Sequence, residues 1–482
     1  MSDRERPNVL LITSDQHRAD AMACAGHPAV RTPHLDRLAY EGVRFSNAYV
    51  DCPVCIPARS ALISGRRAHE LGCCSYSTGF RMPVPREDLL GSRLTAAGYQ
   101  TELVGKTHWF LPPSDRGGFE HVTWMAGLRR AQFAYSDGRP GMQAGLGYNE
   151  FDPAPSAFPP HLHTTNWCVE QGCRFLETRE EGTPFGLWIS VQDPHPPMVI
   201  HEPYFSMYDD ADLGEPVVPG WIGTDGEPLT NYTERVGWNK KPFTPEEIHR
   251  IRSVYLGMVT NLDHQLGRLI AQLQMLGAWD DTLVIYSSDH GEMLGDAGMF
   301  SKRCFLEASA KVPLIVRPPA SWGLEPGRVC DDLVEWADVL PTLCEAAGAG
   351  TPAGVTGRSL MPSLRGEARE PHLLHGQLDE RHMLHDGRFK YLWSAADGRE
   401  LCFDTAADPH DEHPLHGEPL DRMRGLFVEH LAAEHHPHLR DGTLVNERRE
   451  RPTPAQLRAL DRAGLGPTEH LGQALRDTMW IG

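Results

Sequence analysis

Four short apolar runs in this chain each break off into a cluster of polar and charged residues. That repetition constrains the fold more than any other feature. Asn8 to Thr13 leads into Ser14-Asp15-Gln16-His17, and Thr101 to Val104 leads into Gly105-Lys106-Thr107-His108. Phe185 to Val191 leads into Gln192-Asp193-Pro194-His195, and Thr282 to Tyr286 into Ser288-Asp289-His290-Gly291. A short apolar run bounded by turn residues reads as a strand buried on both faces. Val43 to Val50 and Val312 to Val316 are further strand candidates. Helical patterns lie between the runs, so the chain is expected to be α/β, a mostly parallel sheet covered by helices on both faces. In such sheets ligands bind beyond the carboxyl ends of the strands, where these polar clusters fall.

The helices carry their own signals. Thr32-Pro33 opens one, with Leu35, Leu38 and Ala39 as its apolar face and Gly42 at its end. Pro57 to Ser64 reads as another, with Gly65 just past it. Thr244-Pro245-Glu246-Glu247 is a capping box. Ile248, Ile251, Val254, Tyr255, Met258, Leu262, Leu266, Leu269 and Leu273 then recur at helical spacing until Gly277. Residues 112–160 and 196–243 have no clear period and suit a substrate entrance. After residue 365, short strands (His372 to Gln377, Arg388 to Trp393, Glu400 to Phe403) and a helix (Leu420 to Ala433) predict a small C-terminal α+β subdomain. The expected division is 1–365 for the main domain, 366–440 for the subdomain and 441–482 for a charged tail.

Composition narrows the function. A formal net charge of -19 argues against nucleic acid and anionic membrane as partners. No apolar run of about 18 residues is present, so no membrane helix is expected. The start, MSDRERPNVLLIT, has only the short apolar run Val9 to Ile12, too short for a signal-peptide core, so a cytoplasmic location is expected. Eleven cysteines in that compartment read as reduced thiols. Cys168, Cys173, Cys330 and Cys344 read as buried small hydrophobes.

Cys55 is different. It stands in Cys55-Ile56-Pro57-Ala58-Arg59, followed by Leu62, Ser64 and Gly65. A nucleophile just ahead of a helix sits at the positive end of the helix dipole. Arg59, about one turn later, lies on the same face and can hold a fixed positive charge against it. Cys52, Cys55, Cys73 and Cys74 could instead form a metal or redox group, although adjacent Cys73 and Cys74 are poor geometry for closing a zinc site.

The C-x-P-x-R pattern resembles the signature of the sulfatase family, in which a dedicated enzyme oxidises the cysteine to formylglycine. Ala58 stands where many members have serine. The resemblance covers most of residues 7 to 365 in ordered blocks: Asn8 to Gln16, the Cys55 block, Gly105-Lys106-Thr107-His108, Asp193-Pro194-His195-Pro196-Pro197, and Ser288 to Gly295 with Lys302 and Val312-Pro313-Leu314 following. Asp386-Gly387-Arg388-Phe389-Lys390-Tyr391 resembles the family's closing strands. The resemblance implies an alkaline-phosphatase-like fold.

It also implies roles. Asp15, Gln16, Cys55, Asp289 and His290 would hold a divalent cation. Cys55, as hydrated formylglycine oriented by Arg59, would attack the sulfur of a small-molecule or saccharide sulfate ester. His195 or Lys302 would protonate the leaving oxygen, His108 would deprotonate the second hydroxyl so that sulfate departs, and Lys106 would steady the diol. The commonest family pattern has a second aspartate at position 16 and an asparagine at 290. Relatives with Asp-Gln and Asp-His hydrolyse phosphonate monoesters and phosphodiesters, which makes that activity the alternative. Calcium is expected by resemblance, and the imidazole of His290 keeps manganese open. The implied partners are the sulfate ester and a formylglycine-generating enzyme, and a homo-oligomer is possible.

Overall fold

The computed structural model describes residues 6–75, 82–112, 114–136, 146–147, 149–238 and 243–447. The tail from 448 onward, the larger part of the expected 441–482 segment, lies outside them, as do parts of the two irregular segments. Eight strands form the main sheet among the described residues. They are β1 (Asn8–Asp15), β2 (Val43–Phe45), β3 (Gln100–Gly105), β4 (His121–Trp124), β5 (Phe185–Pro194), β6 (Thr282–Ser288), β7 (Leu314–Arg317) and β8 (Arg328–Cys330). Their spatial order is β8-β2-β7-β6-β1-β5-β3-β4. β7 is antiparallel to both of its neighbours, and the other strands run parallel to β1.

Helices cover both faces. On one side α1 (Pro33–Glu41), α4 (Thr164–Thr178) and α5 (Pro245–Met275) bury Leu35, Leu38, Val169, Leu262, Leu266 and Leu269 against Leu10, Ile12 and Ile189 of the central strands. On the other, α2 (Cys55–Ser64), α3 (Leu90–Ala96) and α6 (Val339–Ala347) bury Leu62, Leu94 and Leu343 against Val9, Leu11 and Ile285. Burial of these side chains is the main favourable contribution to the fold, roughly 1.5–3 kcal/mol for each large aliphatic residue. α5 matches its sequence pattern: Thr244 accepts from the Glu247 backbone and the capping box is closed in both directions.

The segment Val43 to Val50, expected as one strand, is broken. β2 ends at Phe45, and Ala48–Tyr49 pairs instead with Val334–Glu335. The intervening Ser46-Asn47 carries the change: Ser46 donates to Cys330 O, and Asn47 donates to Gly387 O and Asp331 O.

Beyond the main sheet, β9 (Leu374–Leu378), β10 (Arg381–His385), β11 (Phe389–Ser394) and β12 (Glu400–Asp404) make an antiparallel meander. One face packs Tyr391, Trp393 and Cys402 on α7 (Glu418–Ala433) through Met423, Phe427 and Leu431. The other face buries Leu374, Met383 and Phe403 against Tyr49, Met293 and Phe305. The sequence pattern missed β10, whose five residues include only two apolar ones.

Candidate active site

Strand register assembles the site. Ser14 pairs with Ser288 and Asp15 with Pro194, while Gly105 pairs with Ser190. The carboxyl ends of β1, β3, β5 and β6 therefore present Asp15, Lys106, His195 and Asp289 along one edge. Gly105 is required where it stands: its φ is +106, and a Cβ there would lie 2.1 Å from Ser190 O. Gln16, just past β1, holds a φ of +69, a conformation few side chains adopt without strain.

Cys55 is the first residue of α2, and all ten residues of that helix are buried. Its Sγ lies 3.1 Å from His290 Nε2 and 3.8 Å from Asp15 Oδ1. Asp15, Cys55, Asp289 and His290 each bring one ligand atom into a group whose members lie within 4.8 Å of one another. Arg59, one turn along, is fully buried. It donates through Nε to Asp289 Oδ2 at 2.8 Å and through one terminal nitrogen to Ser190 Oγ at 2.6 Å. Its other terminal nitrogen is 3.5 Å from Asp15 Oδ2.

Two lysines close the site. Lys106 Nζ is ion-paired with Asp15. Lys302 Nζ donates to Gln16 Oε1 at 2.6 Å and lies 3.0 Å from His195 Nε2. Gln16 sits beside the four-residue group, with its Nε2 donating to Glu292, so its oxygen is the atom turned toward the lysine. Glu292 is itself fixed by the backbone N–H groups of Leu294 and Ser301. His108 reaches Cys55, and this contact counters the downward push on its imidazole from burial and Lys106.

The electrostatics follow from burial and charge together. Burial would raise the Cys55 thiol, but Lys106, Lys302 and His290 outweigh it and hold the group well below its ordinary value. Burial also raises Asp15, yet Lys106, His195 and His290 keep it well below the carboxylate range. Burial and the Asp15 charge lift Asp289 to about 6. Burial and Lys302 press His195 down to about 4, so it is neutral at pH 7. Two buried carboxylates and an imidazole fit a divalent cation, which would relieve the charge that Asp15 and Asp289 impose on each other.

All of the residues singled out for chemistry in the sequence meet here. Several side chains near these segments have other partners. His17 lies between Tyr286 OH at 2.6 Å and Ala21 O at 3.0 Å. Arg18 pairs with Asp20 and Asp296. His27 Nδ1 accepts from the backbone of Ala29 and Val30, and Trp109 packs on Trp188. Among the described residues, no cluster of metal-capable side chains contains Cys52, Cys73 or Cys74. Sequence reasoning gave no role to Glu292 or Ser190. Glu292 is one acid within a longer motif, and Ser190 lies inside an apolar strand.

A mostly parallel sheet with a buried nucleophile-capable cysteine, a metal-capable cluster and cationic side chains at its carboxyl edge defines an α/β protein of the alkaline-phosphatase-like class. A sulfatase family profile matches residues 7–349, and the profile "N-sulphoglucosamine sulphohydrolase, C-terminal" matches residues 295–421. The chain belongs to the sulfatase family. It is 30% identical over 463 residues to an arylsulfatase of Clostridium perfringens, covering 88% of this chain and 94% of that one. It is 30% identical over 481 residues to the multifunctional alkaline phosphatase superfamily protein PehA of Trinickia caryophylli, covering 86% and 92%. Among solved structures it resembles the phosphonate monoester hydrolase SpPMH of Silicibacter pomeroyi, with a TM-score of 0.74, 27% identity, and coverage of 92% of this chain and 100% of that one.

Proposed function

We propose that the chain hydrolyses sulfate monoesters of small molecules or saccharides, with Cys55 oxidised to formylglycine by a maturing enzyme. The observation that carries the reading is the placement of Cys55: first in a buried helix, 3.1 Å from His290 and grouped with Asp15 and Asp289. An unmodified thiol needs none of these neighbours to pack. Asp15, Gln16, Asp289 and His290 would hold the divalent cation, calcium by family likeness with manganese open. That cation supplies Lewis-acid stabilisation of negative charge on the ester and the nucleophile. Arg59, fixed by Asp289 and Ser190, orients the nucleophilic hydroxyl of residue 55. Lys302 and His195, 3.0 Å apart, form the pair that delivers a proton to the leaving oxygen. Neutral His108 takes the proton from the second hydroxyl, and Lys106 holds position beside Asp15. Residues 1–365 carry this chemistry, residues 366–440 form the C-terminal subdomain, and the cytoplasm is the proposed location.

A second reading, hydrolysis of phosphonate monoesters and phosphodiesters, is favoured by the Asp15-Gln16 and Asp289-His290 pairs and by the likeness to SpPMH. Two measurements on protein from its native host test both readings. Mass spectrometry of the peptide carrying Cys55 is expected to find formylglycine, and an intact thiol at full activity overturns the mechanism. The kcat/KM for an aryl sulfate is expected to exceed that for an aryl phosphodiester and a phosphonate monoester. A large preference for either phosphorus ester reverses the order.

A further inference from the structure

A second cluster of ligating side chains, sharing no residue with the Cys55 group, lies on the seam between the main domain and the C-terminal meander. His69, in the turn after α2, His375 on β9 and Glu434 at the end of α7 converge there, each offering one ligand atom within 4.8 Å of the others. His69 Nε2 is 3.2 Å and His375 Nδ1 is 3.4 Å from the two oxygens of Glu434. Two imidazole nitrogens and a carboxylate gathered within this distance are a ligand set that a zinc-class ion takes.

Hydrogen bonding alone leaves the cluster incomplete. His375 is fully buried, and its Nδ1 has no hydrogen-bond partner. The neighbouring His430 presents Nε2 to the same carboxylate at 3.0 Å, again without hydrogen-bonding geometry. A buried ring nitrogen left unpaired is destabilising, and here it is aimed at a carboxylate that a cation would share.

We propose that His69, His375 and Glu434 bind one divalent transition-metal ion of the zinc class, separate from the catalytic cation. Imidazole nitrogens select such an ion over calcium or magnesium. The far side of His375 fixes the number of ions. Its Nε2 lies 3.2 Å from His382 Nδ1, and His382 Nε2 lies 3.0 Å from His438 Nδ1. When His375 ligates through Nδ1, its proton sits on Nε2 and is donated to His382 Nδ1. His382 then carries its own proton on Nε2, facing His438. The adjacent His382, His436 and His438 group is thereby denied a lone pair, so a single ion is held, and the relay orients its ligand. The ion ties the turn after the Cys55 helix to β9 and to the end of α7.

The test uses the full-length chain, stripped with a chelator and titrated with zinc alone. Binding is read by calorimetry and by metal analysis after gel filtration. Wild type is expected to bind one zinc per chain more than the Glu434→Gln, His69→Gln double variant. The His436→Gln, His438→Gln double variant is expected to match wild type. Zinc is expected to raise the unfolding midpoint of wild type by a few degrees and to leave that of the Glu434→Gln, His69→Gln variant unmoved. If folding of that double variant is in question, Glu434→Gln alone is expected to weaken the extra site at least about tenfold. Equal stoichiometry in wild type and the Glu434→Gln, His69→Gln variant, or unchanged zinc affinity in Glu434→Gln, overturns the proposal. So does loss of the extra ion only in the His436→Gln, His438→Gln variant. Neither result bears on ester hydrolysis, which is assayed separately.

Discussion

Arg59 shows what a single side chain contributes at the site. Its planar fork serves Asp289, Ser190 Oγ and the Lys106 carbonyl at once, and the residue has no exposed surface. A lysine has one nitrogen and cannot reproduce that fork. Arg59→Lys is therefore expected to lower kcat for the preferred ester by about 10²–10³-fold, the loss typical of one preorganised donor. The measurement is steady-state kinetics on protein whose Cys55 conversion has been quantified, so that failed maturation is not mistaken for failed catalysis. An unchanged kcat on fully converted protein removes Arg59 from the mechanism. The side chains gathered here were largely legible in the sequence because cysteine, carboxylates and cations stand out where an apolar strand ends or a helix begins. Glu292 and Ser190 were not legible. Glu292 matters only because the chain turns back under Gln16, and Ser190 only because the β3–β5 register sets it beside Arg59.

Elements lock together through a few buried polar contacts, and Asp263 is one that can be tested. From the middle of α5 it accepts the backbone N–H groups of His34 at 3.0 Å and Leu35 at 2.7 Å, the open first turn of α1. Thr32, which precedes α1, accepts no backbone N–H of that helix through its side chain. The cap thus arrives from another helix, which no local pattern could reveal. By contrast, α5 was legible almost to the residue, since period, capping box and terminal glycine all agree. The broken Val43–Val50 segment and β10 were not, because both depend on neighbours contributed by distant chain. Burial pushes Asp263 up to about 7 from 3.8. The folded state thus holds this proton more tightly than the unfolded one. Its contribution to stability is greatest at acid pH and declines as pH rises from about 3.8 to about 7. Asp263→Asn keeps an oxygen for the two N–H groups and deletes the titration. Melting curves between pH 5 and pH 8 are expected to fall less steeply toward neutral pH in the variant than in wild type. Parallel slopes would show that the cap is not protonated in the fold.

At the scale of the whole molecule, the C-terminal meander is joined to the catalytic site by a buried charge network. Lys390 on β11 is fully buried, with Nζ 2.6 Å from Glu307 Oε1 and 2.9 Å from Asp411 Oδ1. Asp411 Oδ2 accepts the Glu307 backbone N–H at 2.7 Å, and Tyr49 OH donates to the Glu307 carboxylate. The turn that Glu307 opens is the support of the metal-side loop. Gly291 and Glu292 donate to Ser309 O at 2.8 Å and Ala308 O at 2.9 Å, and a Cβ on Gly291 would lie 2.0 Å from Ala308 O. Removing Lys390 leaves Asp411 buried without its cation and Glu307 with only Lys311, 3.3 Å away. Burial and the Glu307 charge already lift Asp411 to about 6, so one proton can relieve only part of that repulsion. Lys390→Met is expected to destabilise the fold by about 3–5 kcal/mol, measured by denaturant unfolding. Adding Glu307→Gln and Asp411→Asn to Lys390→Met is expected to recover much of the loss, because the uncompensated charge disappears with them. Since the loop bearing Asp289 and His290 leans on the same turn, hydrolytic activity of Lys390→Met is expected to fail at a lower temperature than in wild type, in step with the shift in stability. A single variant that unfolds with wild type would mean that apolar packing of Leu374, Met383 and Phe403 holds the meander without help from the ions.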